Sequence, residues 1–171
     1  RIARWNGEPP AQRERGVFAS EGDTQVVLRD WSLQREAGGG YRARVSGDAI
    51  RMDLSTTPTQ PLLLQGEQGF SRKGPAPAQA SFYVSHPQLA VSGTLGLRGE
   101  SLRITTGRAW LDHEWSEALL HPDAVGWDWI GMNLDSGHSL TAFQLRRQDG
   151  SKLWAGGSFR AAGSTEVYRF S

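Results

Sequence analysis

Tyr41-Arg42-Ala43-Arg44-Val45-Ser46, then Gly47-Asp48, then Ile50-Arg51-Met52-Asp53-Leu54-Ser55, is the stretch that decides the fold. Tyr41, Ala43 and Val45 alternate with Arg42, Arg44 and Ser46. Ile50, Met52 and Leu54 alternate with Arg51, Asp53 and Ser55. Successive side chains of a strand point to opposite faces, so period two marks a strand with one buried face. Working outward, Leu89, Val91, Leu95 and Leu97 keep the same alternation against Ala90, Ser92, Thr94 and Arg98. Breakers separate the runs: Gly38-Gly39-Gly40, Pro58 and Pro61, Gly99, Ser136-Gly137 and Asp149-Gly150. The last two lie between apolar runs and read as hairpin turns. Many short strands with frequent turns imply an all-β antiparallel barrel or sandwich.

Helical signals are thin. Ser116 to Leu120 has room for one turn before His121-Pro122. Glu8 to Arg15 carries Pro9 and Pro10 near its start and no apolar stripe, so it is not read as a helix. Phe70-Ser71-Arg72-Lys73-Gly74-Pro75 reads as a polar loop with two adjacent cations. Val167-Tyr168-Arg169-Phe170-Ser171 reads as a strand cut in mid-pattern, which favours a fragment of a longer chain.

The 171 residues suffice for one domain or pieces of two, and the formal net charge is +1. Arg13, Arg15, Arg42, Arg44, Arg146 and Arg147 are scattered among acids and apolar residues, so no nucleic-acid partner is expected. Without cysteine there is no disulfide or thiolate chemistry, which suits cytosol and periplasm equally. No apolar run approaches the roughly 18 residues of a membrane span. No signal peptide is visible at Arg1.

Five of the seven tryptophans fall between Trp110 and Trp154. Trp110, Trp115, Trp127 and Trp129 share a short stretch with Asp112, His113, Glu114 and Asp128, the densest chemistry in the chain. If Trp110 to Ser116 is a strand, Leu111, His113 and Trp115 share one face. Trp110, Asp112, Glu114 and Ser116 share the other, with neighbours on a face about 7 Å apart. Trp127 and Trp129 then lie on one face and Asp128 on the opposite one.

Each group has a plainer reading. His113 fits a hydrogen-bonded core histidine. Asp112 and Glu114 fit a solvent face, pairing with Arg108 or Arg103. The indoles fit barrel core. A carboxyl pair at this spacing also raises glycoside hydrolysis. His113, Glu114, His121 and Asp123 lack any recognised metal spacing, and neither metal nor cofactor is expected. Arg72-Lys73 fits the head of an anionic ligand or a solubilised loop. His86 and His138 read as surface residues.

Ala109-Trp110-Leu111-Asp112-His113-Glu114-Trp115-Ser116, followed by Gly126-Trp127-Asp128-Trp129, resembles the carotenoid hydratase (hydroxyneurosporene synthase) and AttH-type family. Asp30-Trp31-Ser32-Leu33, Gln65-Gly66, Phe70 to Pro75, and Val91-Ser92-Gly93-Thr94-Leu95 support it. The resemblance implies lipocalin-like barrels: residues 1–107 as the later part of a first, 108–171 as the start of a second. It implies an apolar, isoprenoid-like small-molecule ligand and a periplasmic or secreted location. The alternative it implies is a hydratase adding water across an alkene. There His113 would relay a proton or position water, with Asp112 and Glu114 as further catalytic candidates. Trp115 would stabilise a cation, by up to about 2 kcal/mol when desolvated, a gain in rate of more than about tenfold. Trp110, Trp127, Asp128 and Trp129 would line the ligand site. One departure stands out. The resemblance implies a hydratase acid that is an Asp close to a Tyr on a later strand. Thr141-Ala142-Phe143-Gln144-Leu145, the comparable region, has neither. This favours the AttH-type branch.

Overall fold

The computed structural model describes residues 16–117 and 121–171. The Glu8–Arg15 segment and the end of the Ser116–Leu120 turn lie outside the described residues. Strands and no helices run through the rest: β1 Val17–Ala19, β2 Gln25–Leu28, β3 Trp31–Arg35, β4 Tyr41–Ser46, β5 Ile50–Thr57, β6 Leu63–Leu64, β7 Phe70–Arg72, β8 Ala80–Leu97, β9 Glu100–Ile104, β10 Arg108–Trp115, β11 Gly126–Asn133, β12 Ser139–Arg146, β13 Lys152–Arg160 and β14 Tyr168–Phe170. Among the described residues no helix is long and apolar enough to cross a membrane.

The chain divides into two compact units. The first holds the described residues up to Pro58 together with Leu89–Arg108. It is an antiparallel meander, β1-β2-β3-β4-β5, continued by the later part of β8 and by β9. The alternation read from the sequence is realised in the register. Val45 pairs with Met52 and Leu54 with Gly93, while Arg44 pairs with Asp53 and Asp53 with Thr94. Arg42 grips Asp53 in a two-point ion pair, 2.9 and 3.0 Å, and holds its carboxyl below the usual carboxylate range. Where β5 and β8 come closest the sequence has Gly93, at φ +138°, and a Cβ there would run into the Asp53 carbonyl oxygen.

The second unit, Thr59–Gln88 with Ala109–Ser171, carries the tryptophan-rich segment. Residues 59–88, expected with the first barrel, pack here because β6 and β7 pair with the early part of β8, and β10 is a neighbour of β8. β11 to β14 form a four-stranded antiparallel sheet. Its hairpins turn at Gly137 and Gly150, both at positive φ, as Ser136-Gly137 and Asp149-Gly150 predict. Phe70–Arg72, read as loop, is a strand: Phe70 pairs with Phe82 and Arg72 with Ala80. Its run is too short to show a period.

β8 is kinked at Gln88, which adopts φ +52°. The kink is held because the polar groups of Gln88 are satisfied. Its N–H donates to Asn133 Oδ1 at 2.7 Å, and its side-chain amide donates to the Leu134 and His138 carbonyls. His86, expected on the surface, is 5% exposed instead. The strand carries it inward, and Nε2 lies 3.3 Å from the Gln60 carbonyl oxygen.

Two outcomes follow from these placements. Gly93→Ala should cost about 1–3 kcal/mol of stability, or about 2–4 °C in Tm for each kcal/mol. An unchanged melting temperature contradicts the close approach of β5 and β8. For His86, burial lowers its pKa first, and the Arg160 charge lowers it further. The unfolded chain therefore binds the proton more readily, and the contribution is lost as pH falls below about 6.5. Urea midpoints at pH 7.5 and 5.5 should differ less in His86→Gln than in the natural chain. An equal difference in both contradicts the buried neutral imidazole.

Candidate functional site

The site is built by two facing sets of strands within the second unit. Cross-strand partners share a face, so Trp127, Trp129 and Gly131 of β11 lie beside Leu145, Phe143 and Thr141 of β12, and these beside Trp154, Gly156 and Ser158 of β13. This face meets β6, β7 and β8: Gln65 Nε2 donates to Ser85 Oγ and to Thr141 Oγ1, both at 2.9 Å. Its floor is polar and almost closed to solvent, with Gln65, Ser71, Ser81, Ser85 and Thr141 all buried. Serine and threonine serve here because each hydroxyl both donates and accepts.

β10 is a strand over the segment that predicts one, and its two faces separate as alternation requires. Asp112 and Glu114 turn onto the polar floor. Asp112 Oδ1 accepts from Ser85 Oγ at 2.6 Å and from Trp110 Nε1 at 2.8 Å. Glu114 Oε1 accepts from Ser81 and pairs with Lys73 Nζ at 3.0 Å. The partners expected for these acids, Arg108 and Arg103, are not the ones they take. Lys73 is mostly buried, 4.1 Å from the centroid of the Phe143 ring and 4.9 Å from that of Tyr83. Arg72 donates to the Gly74 carbonyl and stands over Trp154. Both cations of the Arg72-Lys73 pair are thus engaged by the protein itself.

Tyr83 is 3% exposed, and its phenol oxygen accepts from Trp129 Nε1 at 2.9 Å. Burial raises its pKa well above the ordinary phenol value, and the charge of Asp112 raises it further. Trp129 and Trp110 both reach over Gly131, where a Cβ would strike the Trp129 ring and come within 3.1 Å of Trp110. Gly131 is what lets the two indoles occupy that space. Trp127 stays 61% exposed beside them. The result is an exposed aromatic wall over a buried polar floor.

The other predicted residues go elsewhere. His113 and Trp115 lie on the reverse face of β10. Their rings meet edge to face at 5.1 Å, and Trp115 stacks on Phe82 at 5.6 Å. Trp115 is 53% exposed and His113 is exposed. Asp128 also faces away from the floor, bonded at 2.8 Å to both Gln144 and Arg146, which hold its carboxyl below the usual range. His121 Nδ1 accepts from the Asp123 N–H at 3.1 Å and lies 3.9 Å from its carboxylate, and no three metal-ligating side chains come together among the described residues. A hollow of about 650 Å³ opens in the first unit, lined by Arg44, Arg51, Asp53 and Thr94 among others and by none of the tryptophan-rich segment.

Sequence reading missed Tyr83, Ser85 and Ser81, which carry no motif of their own, and noted Gln65 in Gln65-Gly66 without giving it a place in the site. Ser81, Tyr83 and Ser85 do alternate with Phe82 and Val84, and that period was the available signal. The wall is open to a direct check. Gly131→Ala should displace Trp129 from Tyr83, weakening the near-UV circular dichroism while leaving the far-UV spectrum intact. An unaltered near-UV spectrum contradicts the packing over Gly131.

Comparison with known proteins agrees with this architecture. A model of the AttH-like family matches residues 9–169. The crystal structure of an AttH protein from Nitrosomonas europaea is 49% identical over 90% of this chain and 48% of that one, with a TM-score of 0.83. Kievitone hydratase from Nectria haematococca is 16% identical over 84% of this chain and 44% of that one, with a TM-score of 0.66, a likeness of fold alone. The chain spans about half the length of these two structures. A search of curated proteins finds no match. The fold is all-β, antiparallel and lipocalin-like, and the chain belongs to the AttH-like family.

Proposed function

We propose that this chain binds a small, largely apolar, isoprenoid-like molecule on the aromatic wall of its second unit. The observation that carries this reading is the exposure of Trp127 and Trp129, 61% and 41%, beside a buried polar floor knit together through Gln65, Thr141 and Tyr83. Large indoles left in water cost hydrophobic stabilisation that a bound apolar surface would recover. Isolated exposed aromatics need no explanation, but a row of them along one register does. Lipocalin-like folds commonly hold apolar ligands against such faces. The reading includes a periplasmic or secreted location, for which the family likeness is the sole support.

A second reading, water addition across an alkene, is favoured by one arrangement. Asp112 of β10 stands beside the Tyr83 phenol of β8. This places an Asp near a Tyr although the Thr141–Leu145 region offers neither. Kievitone hydratase shares the fold and bears a hydratase name, which makes the reading worth testing here.

N-phenyl-1-naphthylamine, a neutral apolar fluorophore, tests the first reading. Its emission should rise on addition of the protein with a micromolar Kd, and Trp129→Ala should weaken it about tenfold, or roughly 1.4 kcal/mol. An absence of binding, or equal binding by the variant, contradicts the proposal. Incubation with an acyclic carotenoid tests the second. A product heavier by one water, lost in Asp112→Asn, supports hydration, and its absence with binding intact leaves a carrier.

A further inference from the structure

Three buried side-chain atoms carry no hydrogen bond among the described residues: Ser158 Oγ, Arg160 Nε and Arg160 Nη2. They belong to two residues of β13, two positions apart and therefore on one face. Protein interiors leave few polar atoms unmet, and here the unmet ones gather in one place. Arg160 is 1% exposed and stands among the largest fully buried side chains described. It lies beside Ser139, and Ser139 beside Asn133, so it closes the far end of the face that begins with Trp127 and Trp154. Its surroundings are otherwise committed. Ser139 Oγ donates to Gln60 Oε1 at 3.1 Å, and the Pro61 carbonyl accepts from Arg160 Nη1 at 2.6 Å.

The charge is uncompensated as well. A guanidinium cannot shed its proton to escape burial, and a buried charge is costly unless it is paired. No acid among the described residues offsets the effect of burial on Arg160, and the titratable group that feels its charge is His86, another base. The two idle nitrogens form one edge of the guanidinium. Arg42 shows what that edge does in this same protein: its Nε and Nη2 hold the two oxygens of Asp53, at 2.9 and 3.0 Å.

We propose that Arg160 is the centre of a carboxylate-binding site, in which Nε and Nη2 take the two oxygens of one carboxylate while Nη1 stays anchored on Pro61. Ser158 Oγ is a further unspent donor on the same face. A planar anion with two oxygens matches the fork, and a spherical ion such as chloride does not. Held out of water, such a charge-assisted pair is at its strongest. The carboxylate belongs either to a small free acid or to the head of an apolar one, and the chemistry at Arg160 is the same. The site does not depend on the aromatic wall being occupied.

The purified protein, equilibrated overnight at pH 7.5 with sodium acetate, with sodium decanoate below its aggregation limit, or with sodium chloride at equal ionic strength, tests this. A carboxylate should move the Arg160 Nε–H signal downfield to a saturating limit in proton–nitrogen spectra, and chloride should not. It should also raise Tm by about 2 °C or more over chloride. A response to acetate shows that a small free acid suffices, and a response to decanoate alone identifies the head of an apolar acid. Arg160→Lys keeps the positive charge and loses the fork, so the gain in Tm should vanish. If that variant misfolds, the Nε–H signal of the natural chain still decides. A signal that neither carboxylate moves, or that chloride moves as far, overturns the assignment. So does a gain in Tm that persists in folded Arg160→Lys.

Discussion

A strand moved by one residue turns every side chain to the opposite face, and in β10 that choice is pinned by hydrogen bonds to two serines. Ser85 holds Asp112, and Ser81 reaches Glu114. With those contacts made, the acids must lie on the floor of the second unit, and His113 and Trp115 must lie on its back. The aromatic wall, the meeting of Asp112 with the Tyr83 phenol and the burial of Lys73 all follow from this one register.

The floor is polar, and its cohesion is correspondingly demanding. Burying a hydroxyl or amide is tolerable only where each finds a partner. Gln65 ties β8 to β12 through two hydroxyls, and Tyr83 ties β8 to β11 through an indole. Lys73 is housed between two aromatic rings with a carboxylate at its tip. Removing one partner would strand another, so the network fixes the spacing of the two facing strand sets as well as lining the site. Gly131 belongs to the same logic: its missing side chain makes room for two indoles.

Much of this was legible in the order of residues. Alternation over Tyr41–Ser46 and Ile50–Ser55 found β4 and β5, and the two glycine turns located the hairpins of the last sheet. The tryptophan-rich segment marked the chemistry, and its period separated Asp112 and Glu114 from His113 and Trp115. Which face would be inward was not legible, because both bear aromatic and polar groups and a lone strand carries no record of its neighbour. Tyr83 and Ser85 were missed, and Gln65 was left without a place in the site, for the same reason, since they become a site only when β6, β8, β10 and β12 assemble. β7 escaped because a three-residue strand has no period. His86 is buried by the path of β8, which its proline neighbour does not disclose.

The indole N–H resonances of the seven tryptophans give the most direct test of which face works. Titration with decan-1-ol, followed by proton–nitrogen correlation spectra, should move the signals of Trp110, Trp127 and Trp129 and leave Trp115 and Trp31 in place. Movement of Trp115 with Trp110 and Trp129 stationary would put the binding surface on the reverse of β10 and contradict the account.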